Sequence, residues 1–161
     1  MITLVIGGTR SGKSEVAERL AARAGESVTY IAPGSASDAQ MSERIAEHRR
    51  RRPTKWATVE CGAELVPALE QSSGVVLIDS LGSWIAASDG FVVDTDALLR
   101  ALTARTDATI VVTEEVGLAV HAPTEAGRAF TDALGDVNAK VAAVADDAVL
   151  VVAGRTVPLA R

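Results

Sequence analysis

Lys13 and Ser14 close an eight-residue run, Gly7-Gly8-Thr9-Arg10-Ser11-Gly12-Lys13-Ser14, that fits the pattern G-x-x-x-x-G-K-[ST]. In such a run the glycines let backbone N–H groups approach phosphate oxygens. The start of a helix adds positive potential, the lysine reaches the β- and γ-phosphates, and the last hydroxyl can ligate Mg²⁺. A strand-like run, Ile2 to Ile6, precedes the loop and a helix-like run, Lys13 to Ala24, follows it. That context separates the motif from an incidental glycine-rich turn. Asp79 ends the apolar run GVVLID and is the natural second partner for Mg²⁺; its alternative reading is a helix N-cap. These residues predict binding of a purine nucleoside triphosphate, and by themselves do not say what is done with it.

A second group lies on a predicted helix from Asp38 to about Arg52, ended by Pro53. Arg44, His48 and Arg52 are spaced i, i+4, i+8 and share one helix face. An imidazole between two guanidinium groups has its cationic form disfavoured. A neutral ring with a free lone pair, beside phosphate-binding arginines, can attack a nucleotide α-phosphate. The same spacing also describes a solvated basic face with an incidental histidine. His121, in the segment Val120-His-Ala-Pro, has no comparable neighbours in sequence and reads as structural or surface.

Strand-like and helix-like segments alternate around these residues. Strands are expected at Ile2–Ile6, Ser27–Ala32, Ala57–Glu60, Gly74–Asp79 and Ala108–Thr113. Helices are expected at Lys13–Ala24, Ala63–Gln71, Thr95–Arg105 and Pro123–Ala145, with Trp84-Ile85 on a short helix or loop. Gly25 reads as a helix stop, and Gly154-Arg155 as the turn of a closing hairpin between Val149–Ala153 and Val157–Leu159. Most of these strands are apolar on both faces, which predicts a mostly parallel sheet covered by helices on both sides.

The 161 residues suffice for one compact domain, 1–161. With 48% hydrophobic and 23% charged residues the chain has an ordinary globular balance. Five aromatic residues are too few for base stacking to be a general strategy, and the net charge of −5 argues against a nucleic-acid binder. Positive charge is concentrated: Glu43 to Lys55 carries +4, so the remainder carries −9. A basic island on an acidic chain suits a local anionic ligand such as nucleotide phosphates. The single cysteine, Cys61, allows no intrachain disulfide and no thiolate zinc site. The amino terminus lacks the features of a signal peptide, and no apolar stretch approaches the roughly 20 residues of a membrane span, so a soluble, cytoplasmic protein is expected.

The combined blocks resemble the adenosylcobinamide kinase/adenosylcobinamide-phosphate guanylyltransferase family over essentially the whole chain. The similarity is carried by GGTRSGKS, YIAP, and Met41-x-x-Arg44-Ile45-x-x-His48-Arg49-x-x-Arg52-Pro53-x-x-Trp56-x-Thr58-Val59-Glu60. Further along come Val75-Val-Leu-Ile-Asp79-Ser-Leu-Gly-Ser-Trp84, Glu115-Val-Gly117, Arg128-Ala-Phe130, Gly135-x-x-Asn138 and Leu150-Val-Val-Ala-Gly154. The resemblance implies a P-loop NTPase three-layer α/β sandwich of RecA-like type with an antiparallel C-terminal hairpin edge, assembling as a homotrimer. It implies a bifunctional enzyme of cobalamin biosynthesis. Adenosylcobinamide is phosphorylated on its aminopropanol hydroxyl with ATP or GTP. GMP then passes from GTP, through a GMP-histidine intermediate, to adenosylcobinamide phosphate.

By the same resemblance His48 is the guanylylated histidine and Lys13 the catalytic lysine. Nucleotide contacts carry over to Gly7, Gly8, Thr9, Arg10, Ser11, Gly12, Lys13, Ser14, Ala32, Pro33, Gly34, Arg49, Arg50, Arg51, Arg52, Glu60 and Asp79. Glu60 would accept from guanine N1–H and N2–H₂, which discriminates against adenine. Ser14 and Asp79 would hold Mg²⁺. Ala32-Pro33-Gly34 departs from the family's small-hydroxyl version, which leaves backbone contacts there. The stretch from Trp84 to Thr95 is short for the family. Glu114 stands where an asparagine is more usual. Glu115 is at the family position, and orienting Mg²⁺ or the acceptor hydroxyl stands beside a plain charged strand end as its reading. Trp56 and Trp84 read as packing residues. Two other functions stay open on the residues: a small-molecule P-loop kinase without guanylyl transfer, and a nucleotide-dependent switch or assembly subunit.

Overall fold

The computed structural model describes residues 1–34, 53–118 and 120–160. The predicted helix with Arg44, His48 and Arg49 to Arg52 lies outside the described residues.

A seven-stranded sheet forms the middle layer, built from β1 (Ile2–Gly7), β2 (Val28–Ala32), β3 (Ala57–Glu60), β4 (Val75–Asp79), β5 (Thr109–Glu114), β6 (Asp147–Val152) and β7 (Arg155–Pro158). Its order is β3-β2-β4-β5-β1-β6-β7. Every pairing is parallel except β6–β7, which is antiparallel, as expected for the C-terminal hairpin. The described helices are α1 (Lys13–Ala24), α2 (Leu65–Glu70), α3 (Leu81–Ala87), α4 (Thr95–Thr103) and α5 (Glu125–Val144), with a 3₁₀ turn at Asp89–Phe91.

Alternation along the strands feeds two cores. Val5, Tyr30, Leu77, Ile110 and Val112 face Val16, Ala17 and Ala21 of α1 on one side. Leu4, Ile31, Val76, Ile78 and Val111 face α2, α3, α4 and α5 on the other, through Leu65, Leu69, Trp84, Leu98, Leu102, Leu134 and Val141. Burial on both faces is why the strands read as continuous apolar runs rather than as alternating ones. Both tryptophans are core residues, as expected; Trp84 Nε1 donates to Ala63 O at 2.9 Å. Among the described residues no helix is long and apolar enough to cross a membrane.

Local backbone detail bears out one expectation, shifts another and removes an alternative. Gly25 ends α1, as expected, and does so in extended backbone (φ −177°). Its lack of a side chain serves packing, because a Cβ there would lie 2.9 Å from Val75 Cγ2. The hairpin turn is Ala153-Gly154, one residue earlier than Gly154-Arg155, with φ of 50° and 76°. A two-residue hairpin loop of this kind requires left-handed backbone at both positions, which fixes the register. Asp79 is not the N-cap of the helix that follows. Ser80 is, its Oγ accepting from Ser83 N at 3.3 Å.

One clamp ties the amino ends of β4 and β5. Arg105 donates to Ser72 O at 2.6 Å, Gly74 O at 2.5 Å and Thr109 Oγ1 at 2.9 Å. Burial lowers the pKa of this guanidinium, an effect partly opposed by Asp107.

Candidate functional site

All the parallel strands run the same way, so their carboxyl ends share one edge of the sheet, where open α/β folds bind ligands. Gly7, Glu114, Asp79, Ala32 and Glu60 stand at or within a residue of those ends, on β1, β5, β4, β2 and β3 respectively. Residues from distant parts of the sequence thereby converge on one rim.

The phosphate loop occupies Gly8–Gly12, between β1 and α1. Gly12 takes φ +92° at the N-cap of α1, a left-handed conformation that suits glycine. Ser11 N donates to Gly8 O at 3.2 Å, and Gly154 N of the hairpin turn donates to Ser11 O at 2.8 Å. The C-terminal hairpin thus braces the loop from outside. Ser11 Oγ is buried with no hydrogen-bond partner among the described residues, which leaves a hydroxyl available to a phosphate oxygen. Lys13 folds back over the loop: its Nζ donates to Gly8 O at 3.4 Å and lies 3.6 Å from Glu114 Oε1. Ser14 follows in the first turn of α1, half-buried.

Asp79 is half-buried at the end of β4, and its Oδ2 accepts from Tyr30 Oη at 2.7 Å. Tyr30, on the neighbouring β2, is only 2% exposed, so packing fixes the phenol that orients the carboxylate. Sequence reading missed this partner. Tyr30 and Asp79 are 49 positions apart and nothing in the pattern links them.

On the far side of Asp79, register puts Glu60 beside Ala32, and Cys61 N donates to Ala32 O at 3.2 Å. Glu60 itself is exposed. Gly34 lies against α3: a Cβ there would sit 3.3 Å from Ser83 Cβ. Burial raises the Cys61 thiol pKa, with a smaller push from Glu64.

The two adjacent glutamates separate cleanly. Glu115 accepts from Gly117 N at 2.9 Å and Leu118 N at 3.0 Å, so its carboxylate closes its own loop. Glu114 instead points at Lys13, and its Oε2 accepts from Ser80 Oγ at 3.1 Å. Its carboxylate lies against Gly82, where a Cβ would collide with it. The sequence signal for Glu114 was present in the departure from asparagine at that position. His121 is exposed, consistent with a surface reading.

The site so assembled has an anion-binding loop with a lysine, an oriented carboxylate one strand beyond β5, and a further carboxylate at the sheet margin. His48 and Arg49 to Arg52 fall in sequence between Gly34 and Pro53, outside the described residues.

Comparison with known proteins agrees with the geometry. Residues 3–159 match the family described as cobinamide kinase / cobinamide phosphate guanyltransferase. The chain is 38% identical over 171 residues to the bifunctional adenosylcobalamin biosynthesis protein CobP of Pseudomonas aeruginosa, covering 99% of this chain and 97% of that one. It is also 38% identical over 176 residues to the bifunctional adenosylcobalamin biosynthesis protein CobU of Salmonella typhimurium, covering 96% and 97%. Among solved structures, a prototypical ATPase from the type III secretion system of pathogenic bacteria superposes with a TM-score of 0.59 at 10% identity. That superposition covers 92% of this chain and half (50%) of the ATPase, and shows a shared fold.

Proposed function

Because this chain belongs to the cobinamide kinase / cobinamide phosphate guanyltransferase family, we propose that it carries out both reactions, on adenosylcobinamide and then on its phosphate, within a single nucleotide-binding domain spanning 1–161. The observation that carries this reading is the convergence of the phosphate loop, Asp79, Ala32–Gly34 and Glu60 on one rim of the sheet.

In the kinase step, Lys13 and the backbone of Gly7 to Ser14 hold the triphosphate of ATP or GTP. The acceptor is the aminopropanol hydroxyl. The hydroxyl of Ser14 and the carboxylate of Asp79 are hard oxygen donors that suit Mg²⁺. Held there, Mg²⁺ would offset the negative charge of the phosphates during transfer. Among the described residues no cluster of three His, Cys, Asp or Glu could hold a metal. Mg²⁺ in phosphoryl-transfer sites needs no such cluster, since it keeps waters and phosphate oxygens as ligands.

In the guanylyl step, His48 attacks the α-phosphate of GTP and expels pyrophosphate, while Arg49, Arg50, Arg51 and Arg52 stabilise the developing negative charge. The cobinamide phosphate then attacks the phosphoramidate and frees His48. Glu60 accepts from the guanine edge beside Ala32, Pro33 and Gly34. The enzyme acts in the cytoplasm as a homotrimer.

Intact-protein mass spectrometry after incubation with GTP and Mg²⁺, at neutral to alkaline pH with ATP in parallel, tests the guanylyl half. The expected result is a GMP-sized adduct with GTP only, mapped to His48 and absent from His48→Ala. An adduct surviving in His48→Ala overturns the assignment. Binding of GTP without any adduct favours a kinase alone, which a corrinoid turnover assay then checks. Light scattering tests the trimer.

A further inference from the structure

The carboxylate of Glu114 is anchored at one oxygen only by neutral partners. Oε2 accepts from Ser80 Oγ at 3.1 Å, and the carboxylate rests against Gly82. Oε1 faces the Lys13 ammonium at 3.6 Å, with 29% of the Glu114 side chain and 12% of the Lys13 side chain exposed. Asn138 fixes the backbone beneath it, Nδ2 donating to Glu114 O at 3.0 Å. The position is central: β5 lies between β1, which delivers the phosphate loop, and β4, which delivers Asp79.

In a loop of this kind the lysine moves to the β- and γ-phosphates when a triphosphate binds. Lys13 must then share or release Glu114. Oε2 keeps its anchor, and Oε1 is left as a charged acceptor next to the transferring phosphoryl group. A carboxylate placed there can accept the proton of a hydroxyl approaching the γ-phosphorus, a role the amide more usual in the family at this position could not fill.

From this geometry we propose that Glu114 is a catalytic residue of the kinase step, the base that receives the proton of the corrinoid's acceptor hydroxyl. The hydroxyl oxygen forms a bond to the γ-phosphorus. The bond from that phosphorus to the β–γ bridging oxygen breaks, and its electron pair leaves on the nucleoside diphosphate. The hydroxyl proton passes to Glu114 Oε1. The proposal rests on the kinase function proposed above.

The test compares wild type, Glu114→Gln and Glu114→Ala in three measurements: cobinamide phosphorylation with Mg-ATP, GMP-adduct formation with GTP, and thermal unfolding. Glu114→Gln should lower the kcat of phosphorylation about 100-fold, the lower range for a lost general base. Its KM for the nucleotide should stay equal or fall, since a negative charge beside the phosphates is gone. The unfolding temperature should match wild type, and the GMP adduct should still form with GTP. Added formate should restore part of the turnover in Glu114→Ala. Phosphorylation by Glu114→Gln within threefold of wild type overturns the proposal. So does a joint loss of kcat, nucleotide affinity and adduct, which marks a structural role. If wild type binds ATP but does not phosphorylate cobinamide, the kinase function itself fails and the proposal fails with it.

Discussion

Asn138, in the C-terminal half of α5, holds the tip of β5 at two points. Its Nδ2 donates to Glu114 O at 3.0 Å, and its Oδ1 accepts from Thr113 Oγ1 at 2.6 Å. Thr113 is fully buried. A single amide therefore locks the helix layer to the strand end that presents Glu114 to Lys13.

Asn138→Ala leaves a buried hydroxyl and a strand-end carbonyl without this partner. The expected cost is about 2 kcal/mol of stability. For a chain of this size that lowers Tm by roughly 6 °C. Calorimetry of the variant checks the shift, and an unchanged Tm sinks the view that this bond organises the rim. Asn138→Asp, which keeps the acceptor but not the donor, should be intermediate.

Gly82 has no room for a side chain because the Glu114 carboxylate occupies that space. Gly82→Ala should destabilise the chain by about 1–3 kcal/mol through overpacking. The penalty should shrink in a Glu114→Ala background. A double-mutant cycle by chemical denaturation measures the coupling, which contact between the two residues predicts to be at least about 0.5 kcal/mol. Strict additivity would place the clash elsewhere.

Tyr30→Phe removes the phenol that donates to Asp79 Oδ2. The ring stays in its core and the fold should survive. The carboxylate loses an orienting bond, so half-maximal kinase activity should need about 10-fold more Mg²⁺. Partners of this kind change metal affinity by about 10–100-fold when removed. A magnesium titration of activity decides, with EDTA expected to abolish turnover in both proteins. An unchanged midpoint would separate Tyr30 from the metal.

Cys61 sits at the end of β3 beside Glu60, and burial raises its pKa above the ordinary thiol value. The neutral thiol is therefore favoured in the folded chain and the reactive thiolate is scarce at pH 7. Alkylation by iodoacetamide should be slow at pH 7 and should accelerate at higher pH than for a free cysteine. The same shift stabilises the folded state through neutral pH. That contribution declines once pH exceeds the unfolded thiol value, because the unfolded chain ionises first. Rapid labelling at pH 7 would contradict the burial argument.

The phosphate loop was legible in the sequence because its chemistry is local. Eight consecutive residues between a strand and a helix must adopt that turn to expose their N–H groups. The parallel sheet was legible for a similar reason: apolar runs such as GVVLID and ATIVVT can only be buried on both faces. Gly25 and the hairpin turn were recognised as breaks, but their backbone conformations were not. Whether a glycine is needed for a left-handed turn or for clearance from Val75 depends on what packs against it. Neighbour relations across the sheet were likewise outside the reach of sequence. Strand order set β5 between β1 and β4, and so brought Glu114 rather than Glu115 to Lys13. Alternation sends successive side chains of a strand to opposite faces, and the turn after β5 folds Glu115 onto its own amides. Tyr30 reached Asp79 by the same tertiary route. Residue type and spacing determined which chemistry the chain could perform, because those are local properties. The partners of each charged group were decided by the packing of strands and helices distant in sequence.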